Sequence, residues 1–268
     1  MFKLIKSISI AVRPKTLATS ISPVLVGFAL SVKYGKYSIP IFLYTLFSAI
    51  FIQIGTNFAN DLYDYIKGAD DKSRLGPTRA VQSQLISVQM MKRFTFFAFV
   101  VAILCGIPLV MEGGYPILII GILSIISGYA YTAGPYPLGY NGWGDFFVFC
   151  FFGPIAVCGT YFLQTLSISL ESIIAGIILG CLSVTLLCVN NIRDVETDRK
   201  VGKRTLAVRI SPKFVRVMFI ILFLLSYLFS IYLSYYLSIR VFPFLLIATI
   251  PFFLKLSYDV LKLRGEKL

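Results

Sequence analysis

Eight apolar runs, each close to the length that crosses a bilayer, constrain this chain more than any other feature. They are Leu17 to Val32, Ile39 to Ala59, Phe94 to Met111, Tyr115 to Ala133, Phe146 to Leu166, Ile173 to Val189, Val215 to Leu237 and Val241 to Leu256. A hydrocarbon core takes about 20 residues of helix, so each run reads as a spanning helix. Composition agrees: of 268 residues, 57% are hydrophobic and 14% charged, and the mean hydropathy is +0.84, too apolar for a soluble domain of this size. The expectation is one all-α domain over residues 1–268, a polytopic transmembrane bundle. The first run has the look of a signal-peptide core, but seven more follow it without a clear cleavage site, so it reads as a retained helix.

Charge placement tests the count independently, because cytoplasmic flanks collect Lys and Arg. With the N-terminus cytoplasmic, eight spans put all of the 25 basic residues inside except Lys33, Lys36 and Arg240. A wrong count would scramble that parity. Both termini are therefore expected on the cytoplasmic side of the cell's inner membrane.

The net charge of +13 does not point to nucleic acid, since the basic residues lie at membrane boundaries with no soluble domain to present them. Anionic membrane lipids and an anionic substrate suit them better. Histidine is absent, which removes His-dependent mechanisms and most zinc or haem sites. The five cysteines all fall inside apolar runs, form no C-x-x-C pair, and read as packing residues.

Two long polar segments, Asp61 to Arg93 and Asn190 to Pro212, interrupt the runs, and both fall on the inside. Asn60-Asp61-Leu62-Tyr63-Asp64 closes the second run and Asn190-Asn191-Ile192-Arg193-Asp194 the sixth, a likeness that suggests a duplicated four-helix unit. A third inside loop, Gly134 to Asp145, is rich in Gly, Pro and aromatic residues and reads either as a substrate wall or as an ordinary turn in the interfacial aromatic belt.

Eight of the twelve acidic residues gather in these loops: Asp61, Asp64, Asp70, Asp71, Asp145, Asp194, Glu196 and Asp198. Residues four apart share a helix face, so Asn60 with Asp64, and Asn190 with Asp194 and Asp198, make two polar stripes. A carboxylate at depth in a membrane helix costs roughly 2.5–3.5 kcal/mol, and like charges repel, so a cation must gather there. Mg²⁺, a hard ion that takes carboxylates, waters and phosphates, fits that role. Lys67, Arg74, Arg79, Lys200, Lys203 and Arg204 would add donors to the oxygens of a diphosphate. Asp61, Asp71 and Glu196 read equally well as solvated helix-end or capping residues.

These motifs resemble the UbiA superfamily of intramembrane prenyltransferases, and within it the 1,4-dihydroxy-2-naphthoate branch of the menaquinone pathway. The resemblance runs from Arg13-Pro14-Lys15-Thr16-Leu17 through Asn57 to Asp64, Gly76 to Val81 and Tyr131 to Tyr140. It ends in Asn191 to Lys200 and Gly202 to Ala207. The family's first motif, N-x-x-x-D-x-x-x-D, maps onto Asn60 and Asp64 but meets Gly68 at its third place, leaving Asp70 or Asp71 to serve. The second, D-x-x-x-D, maps onto Asp194 and Asp198.

The resemblance implies a helical bundle of up to nine spans around a central cavity, Mg²⁺ as cofactor, and two substrates, an isoprenyl (polyprenyl or phytyl) diphosphate and an aromatic acceptor. Asn60, Asp61, Asp64, Asp70, Asp194 and Asp198 are then the expected metal ligands. Asn60, Lys67, Arg79, Asn190, Lys200, Lys203 and Arg204 are expected around the diphosphate, with Tyr131 facing the cation-like allylic carbon and Arg13 or Lys15 on the acceptor's carboxylate. Rival readings are other family branches acting on 4-hydroxybenzoate or a tetrapyrrole, a CDP-alcohol phosphotransferase, whose D-x-x-D-G-x-x-A-R signature is missing, and an ion-coupled transporter.

Overall fold

A computed structural model describes residues 2–70, 75–239 and 242–267. Asp71, Arg74, Arg240 and Val241, assigned places above, lie outside the described residues. Within them every regular element is helical. The helices are α1 (Phe2–Val12), α2 (Pro14–Lys33), α3 (Ile39–Ile66), α4 (Val88–Ala130), α5 (Gly144–Phe152), α6 (Pro154–Thr165), α7 (Leu170–Arg193), α8 (Val195–Lys200), α9 (Leu206–Arg209), α10 (Pro212–Tyr236) and α11 (Phe242–Lys262).

Local sequence accounts for where they begin. Proline opens the first turn of α2, α3, α6 and α10, where its missing N–H costs nothing. Ser87, Ser169 and Ser211 cap α4, α7 and α10 by accepting from Met90, Ser172 and Phe214 amides, which satisfies donors that apolar surroundings would otherwise leave bare.

Seven helices among the described residues are long and apolar enough to cross a membrane: α2, α3, α4, the α5–α6 pair, α7, α10 and α11. α4 holds two of the eight runs. A straight helix of 43 residues would be about 65 Å long, twice the hydrocarbon core. It breaks instead at Gly114 (φ 66°, ψ −152°), a conformation open to glycine. Packing on α3 gives the direction of each arm. Ser48, Gly55 and Phe58 of α3 meet Ala102, Phe99 and Phe94 in turn, so the first arm runs antiparallel to α3. Thr56, Tyr63 and Lys67 meet Gly128, Tyr129 and Thr132, so the second runs parallel. The chain therefore doubles back at Gly114 and makes eight passages, and among the described residues no ninth long helix accompanies them.

Small residues let the helices approach. A Cβ on Gly27 of α2 would lie 2.6 Å from the Val157 carbonyl of α6, and one on Gly176 of α7 would lie 2.6 Å from Pro154 Cα. The even number of passages brings the ends of α3 and α7, the loop 131–143 and residues 75–87 to one end of the bundle. The other end is tied by Tyr34 Oη donating to Glu171 and by Lys33 Nζ donating to the Leu237 carbonyl at 2.9 Å.

Candidate active site

At the loop-bearing end a cavity of about 1470 Å³ enters the bundle. Its mouth is polar, formed by Asn60, Asp64, Asp70, Arg79, Asn190, Asn191, Arg193, Asp194, Asp198 and Lys203; its depth is apolar, walled by residues such as Ile103, Ile107, Leu118, Ile122, Phe147 and Phe151.

On the first side, α3 carries Asn60 and Asp64 on one face, as their spacing predicts. Arg79 reaches them from the segment after the described break. Its Nη2 lies 3.3 Å from Asp64 Oδ2 and its Nε 3.1 Å from Asp70 Oδ2, so one guanidinium gathers the two carboxylates. Asp64 Oδ1 also accepts from Tyr140 Oη at 2.8 Å. Asn60 Oδ1 accepts from Thr132 Oγ1 at 2.9 Å, which fixes the orientation of its amide.

Asp61 has a different place from the metal-ligand role offered above. Its two carboxylate oxygens accept from the backbone amides of Ala80 and Val81 at 2.9 and 3.1 Å, and the side chain is buried away from the cavity. An Asp on α3 with both oxygens taken by amides is an anchor for residues 79–81. It holds Arg79 against Asp64, and its oxygens are engaged by these amides outside the cavity lining.

On the facing side α7 ends at Arg193 and α8 begins at Val195, with Asp194 as the joint. The Asp194 amide donates to Asn190 and the Asp198 amide to Asp194, so helical phase carries through and the stripe Asn190, Asp194, Asp198 lines the cavity intact. Arg193 grips Asp194 through a two-pronged contact, Nε to Oδ1 and Nη2 to Oδ2, each 2.7 Å, the geometry that suits guanidinium to carboxylate. Lys203 Nζ stands 3.5 Å from Asp198 Oδ1. Burial pushes the Asp198 carboxyl up to about 6, against the pull of Lys203.

The loop after α4 joins the two sides. Tyr140 Oη bonds Asp64, its carbonyl accepts from the Arg204 amide at 2.7 Å, and the ammonium groups of Lys67 and Lys203 stand over its ring, 4.9 and 5.4 Å from the centroid. Burial and the charge of Asp64 hold the Tyr140 phenol well above its ordinary range, so it acts as a hydrogen-bond donor throughout. Tyr131 faces the cavity at the same level, with Gly139 and Gly144 close against its ring and hydroxyl.

Other expected residues divide. Arg13 and Lys15 line the cavity at its α2 wall. Lys67 turns to the Thr132 carbonyl, 2.6 Å away. Lys200 and Arg204 are exposed and their side chains do not line the cavity. Tyr140 and Arg193 were not singled out in the sequence: one lay in a loop that also read as an interfacial turn, the other among residues explained by topology. The Tyr140 contact depends on how distant segments meet, while Arg193 pairs with the residue next to it, a role that the topology reading hid.

The donor set fits a divalent cation of the Mg²⁺ type. Among the described residues every candidate ligand at the mouth is a hard carboxylate or amide oxygen, and no thiol lines the cavity. Among the described residues no three His, Cys, Asp or Glu side chains cluster as a self-sufficient chelate. An ion held here would draw the rest of its shell from substrate phosphates and water, as Mg²⁺ commonly does.

Residues 20–267 match the model of the UbiA prenyltransferase family. The chain belongs to that family. Among relatives of this UbiA-family chain, 1,4-dihydroxy-2-naphthoate octaprenyltransferase of Escherichia coli is 38% identical over 75% of this chain and 67% of its own. The Bacillus subtilis protein of the same name is 34% identical over 75% and 65%, so the chain spans about two thirds of the length of these relatives. Human UbiA prenyltransferase domain-containing protein 1 is 31% identical over 83% of this chain and 66% of its own. In fold the chain resembles a UbiA homologue from Archaeoglobus fulgidus solved with GPP and Mg²⁺. The TM-score is 0.72 over 94% of this chain and 88% of that one, with 16% identity. Membership and the seven apolar helices make it an integral membrane protein, and leave no support for the transporter or CDP-alcohol readings.

Proposed function

We propose that this chain transfers a polyprenyl or phytyl group from its diphosphate to 1,4-dihydroxy-2-naphthoate, with loss of diphosphate and CO₂. The observation that carries the reading is the convergence of Asp64 with Asp70, and Asp194 with Asp198, from separate helices at the mouth of one apolar cavity. The relatives named for that naphthoate support the acceptor.

In this reading Asp64, Asp70, Asp194 and Asp198, with Asn60 and Asn190, would hold Mg²⁺ and the diphosphate, and the chemistry the ion would supply is neutralisation of the leaving group's charge. Arg79, Arg193 and Lys203 are already seated against the carboxylates and turn to the phosphate oxygens, where cations stabilise charge as the C–O bond breaks. Isoleucine and phenylalanine walls enclose the tail and keep water from the allylic cation, while the Tyr131 ring presents its negative face to it. Arg13 or Lys15 binds the acceptor's carboxylate. The acidic end faces the cytoplasm, as the charge distribution favours.

The test is an assay of membranes holding this chain, with labelled prenyl diphosphate and 1,4-dihydroxy-2-naphthoate. A lipid-soluble labelled quinol precursor is expected with Mg²⁺ and absent with chelator or in Asp194→Asn. Product formed from 4-hydroxybenzoate in place of the naphthoate would overturn the acceptor assignment.

A further inference from the structure

One carboxyl in the cavity has no work in the scheme above. Asp145, in the first turn of α5, faces the cavity. It is 8% exposed, and among the described residues its Oδ1, closed from solvent, has no hydrogen-bond partner and no cation is seated on it. Its titratable neighbours are Tyr131, at the end of α4, and the Cys188 thiol on α7. The phenol of Tyr131 lies against the adjacent Gly144.

Two ordinary explanations fail. An acidic residue in a helix's first turn is stabilised by the helix dipole, but an exposed Asp does this equally well, and Asp145 is sunk in the wall. It is also no cap: the N-cap position belongs to Trp143, and no side-chain capping bond is made. A buried acceptor oxygen left bare costs free energy, and such a group is retained where an occupant of the cavity supplies the donor. The diphosphate cannot, being an acceptor itself. An aromatic acceptor's hydroxyl can.

We propose that Asp145 is the catalytic carboxylate on the acceptor side, taking the proton of the ring hydroxyl next to the carbon that is prenylated. This rests on the function proposed above. The O–H bond breaks towards Asp145, and its electron pair forms a C=O. The adjacent ring carbon, which bears the carboxylate, bonds to the allylic carbon, whose C–O bond breaks with its pair leaving on the diphosphate. The ring adduct is then a β-keto carboxylate. Its C–C bond to the carboxylate breaks, CO₂ leaves, the electron pair returns to the ring as an enolate, and that oxygen recovers the proton from Asp145. Nothing is oxidised and the carboxylate is regenerated. Tyr131, which interacts electrostatically with Asp145 and with Asp64 and Asp198, then stands where the new bond forms.

The experiment compares wild type and Asp145→Asn for kcat across pH 6 to 9, alongside Mg²⁺-dependent binding of an unreactive prenyl thiodiphosphate. General-base loss lowers kcat about 10²- to 10⁴-fold with donor binding and its Mg²⁺ requirement unchanged. The deficit should shrink as pH rises, because a hydroxyl ionised in solution no longer needs the base. Unchanged kcat, a deficit equal at every pH, or weakened Mg²⁺-dependent donor binding would each overturn the proposal, the last by assigning the carboxylate to the metal site. If Asp145→Asn does not survive purification, Asp145→Glu keeps a base in a displaced position. Lowered kcat with intact donor binding supports the proposal, and unchanged kcat removes it. A wild type inactive on the naphthoate contradicts the proposed function instead, so the two failures are distinct.

Discussion

Asp61 and Asp64 sit three residues apart on α3 and have different work. Both oxygens of Asp61 are spent on the Ala80 and Val81 amides, whereas Asp64 faces the cavity with Arg79 and Tyr140 on it. Asp61→Ala orphans two amides, each worth about 1–3 kcal/mol when left unsatisfied in a buried place. It should lower the temperature of inactivation in detergent while the Mg²⁺ concentration for half-maximal activity stays put. A shift in that concentration would return Asp61 to the metal. Tyr140→Phe removes one hydrogen bond to a charged group, worth about 1.5–3 kcal/mol. It should lower kcat/KM for the prenyl diphosphate about ten- to a hundredfold, read in the same membrane assay. The two stripes were legible in the sequence because the residues of each lie on one continuous helical path. The roles of Asp61, Tyr140 and Arg193 were not. Each depends on a partner or competing role that local spacing cannot rank, as with an amide 19 residues away and a phenol 76 residues away.

Among the elements, α4 shows how a membrane chain turns with almost no loop. The Gly113-Gly114 pair parts two apolar runs, and Gly114 takes a positive φ. A Cβ there meets only Pro116, 4.0 Å away, so Gly114→Ala tests backbone conformation and not crowding. Its cost should be about 1 kcal/mol or somewhat more, seen as lowered thermal stability of the purified protein. Gly176→Val is the opposite case: its Cβ would strike Pro154 Cα at 2.6 Å, backbone that cannot swing aside. Overpacking of this kind costs typically 1–3 kcal/mol, and activity in membranes should fall together with the amount of folded protein. The run boundaries were legible because bilayer thickness sets the length of every span and charged flanks mark the ends. The amphipathic α1, outside any run, was not read as an element. It becomes one through contact, with Ala11 fully buried against a cluster containing Phe58, Leu62 and Met91.

In the whole molecule, an even number of passages places two acidic helix ends, remote in sequence, at the mouth of one cavity. Neither half makes a complete chelate among the described residues, so the account requires that they act as a unit through a shared metal-bound diphosphate. Such coupling is measurable. In a double-mutant cycle, independent sites give additive losses and sites acting on one ligand do not. The direct measurement is the Mg²⁺-dependent affinity of the purified protein for an unreactive prenyl thiodiphosphate, in wild type, Asp64→Asn, Asp198→Asn and the double variant. The account predicts that each single change removes most of the Mg²⁺-dependent binding and that the double change removes little more. Additive losses, or binding of equal strength with and without Mg²⁺ in the wild type, would contradict it.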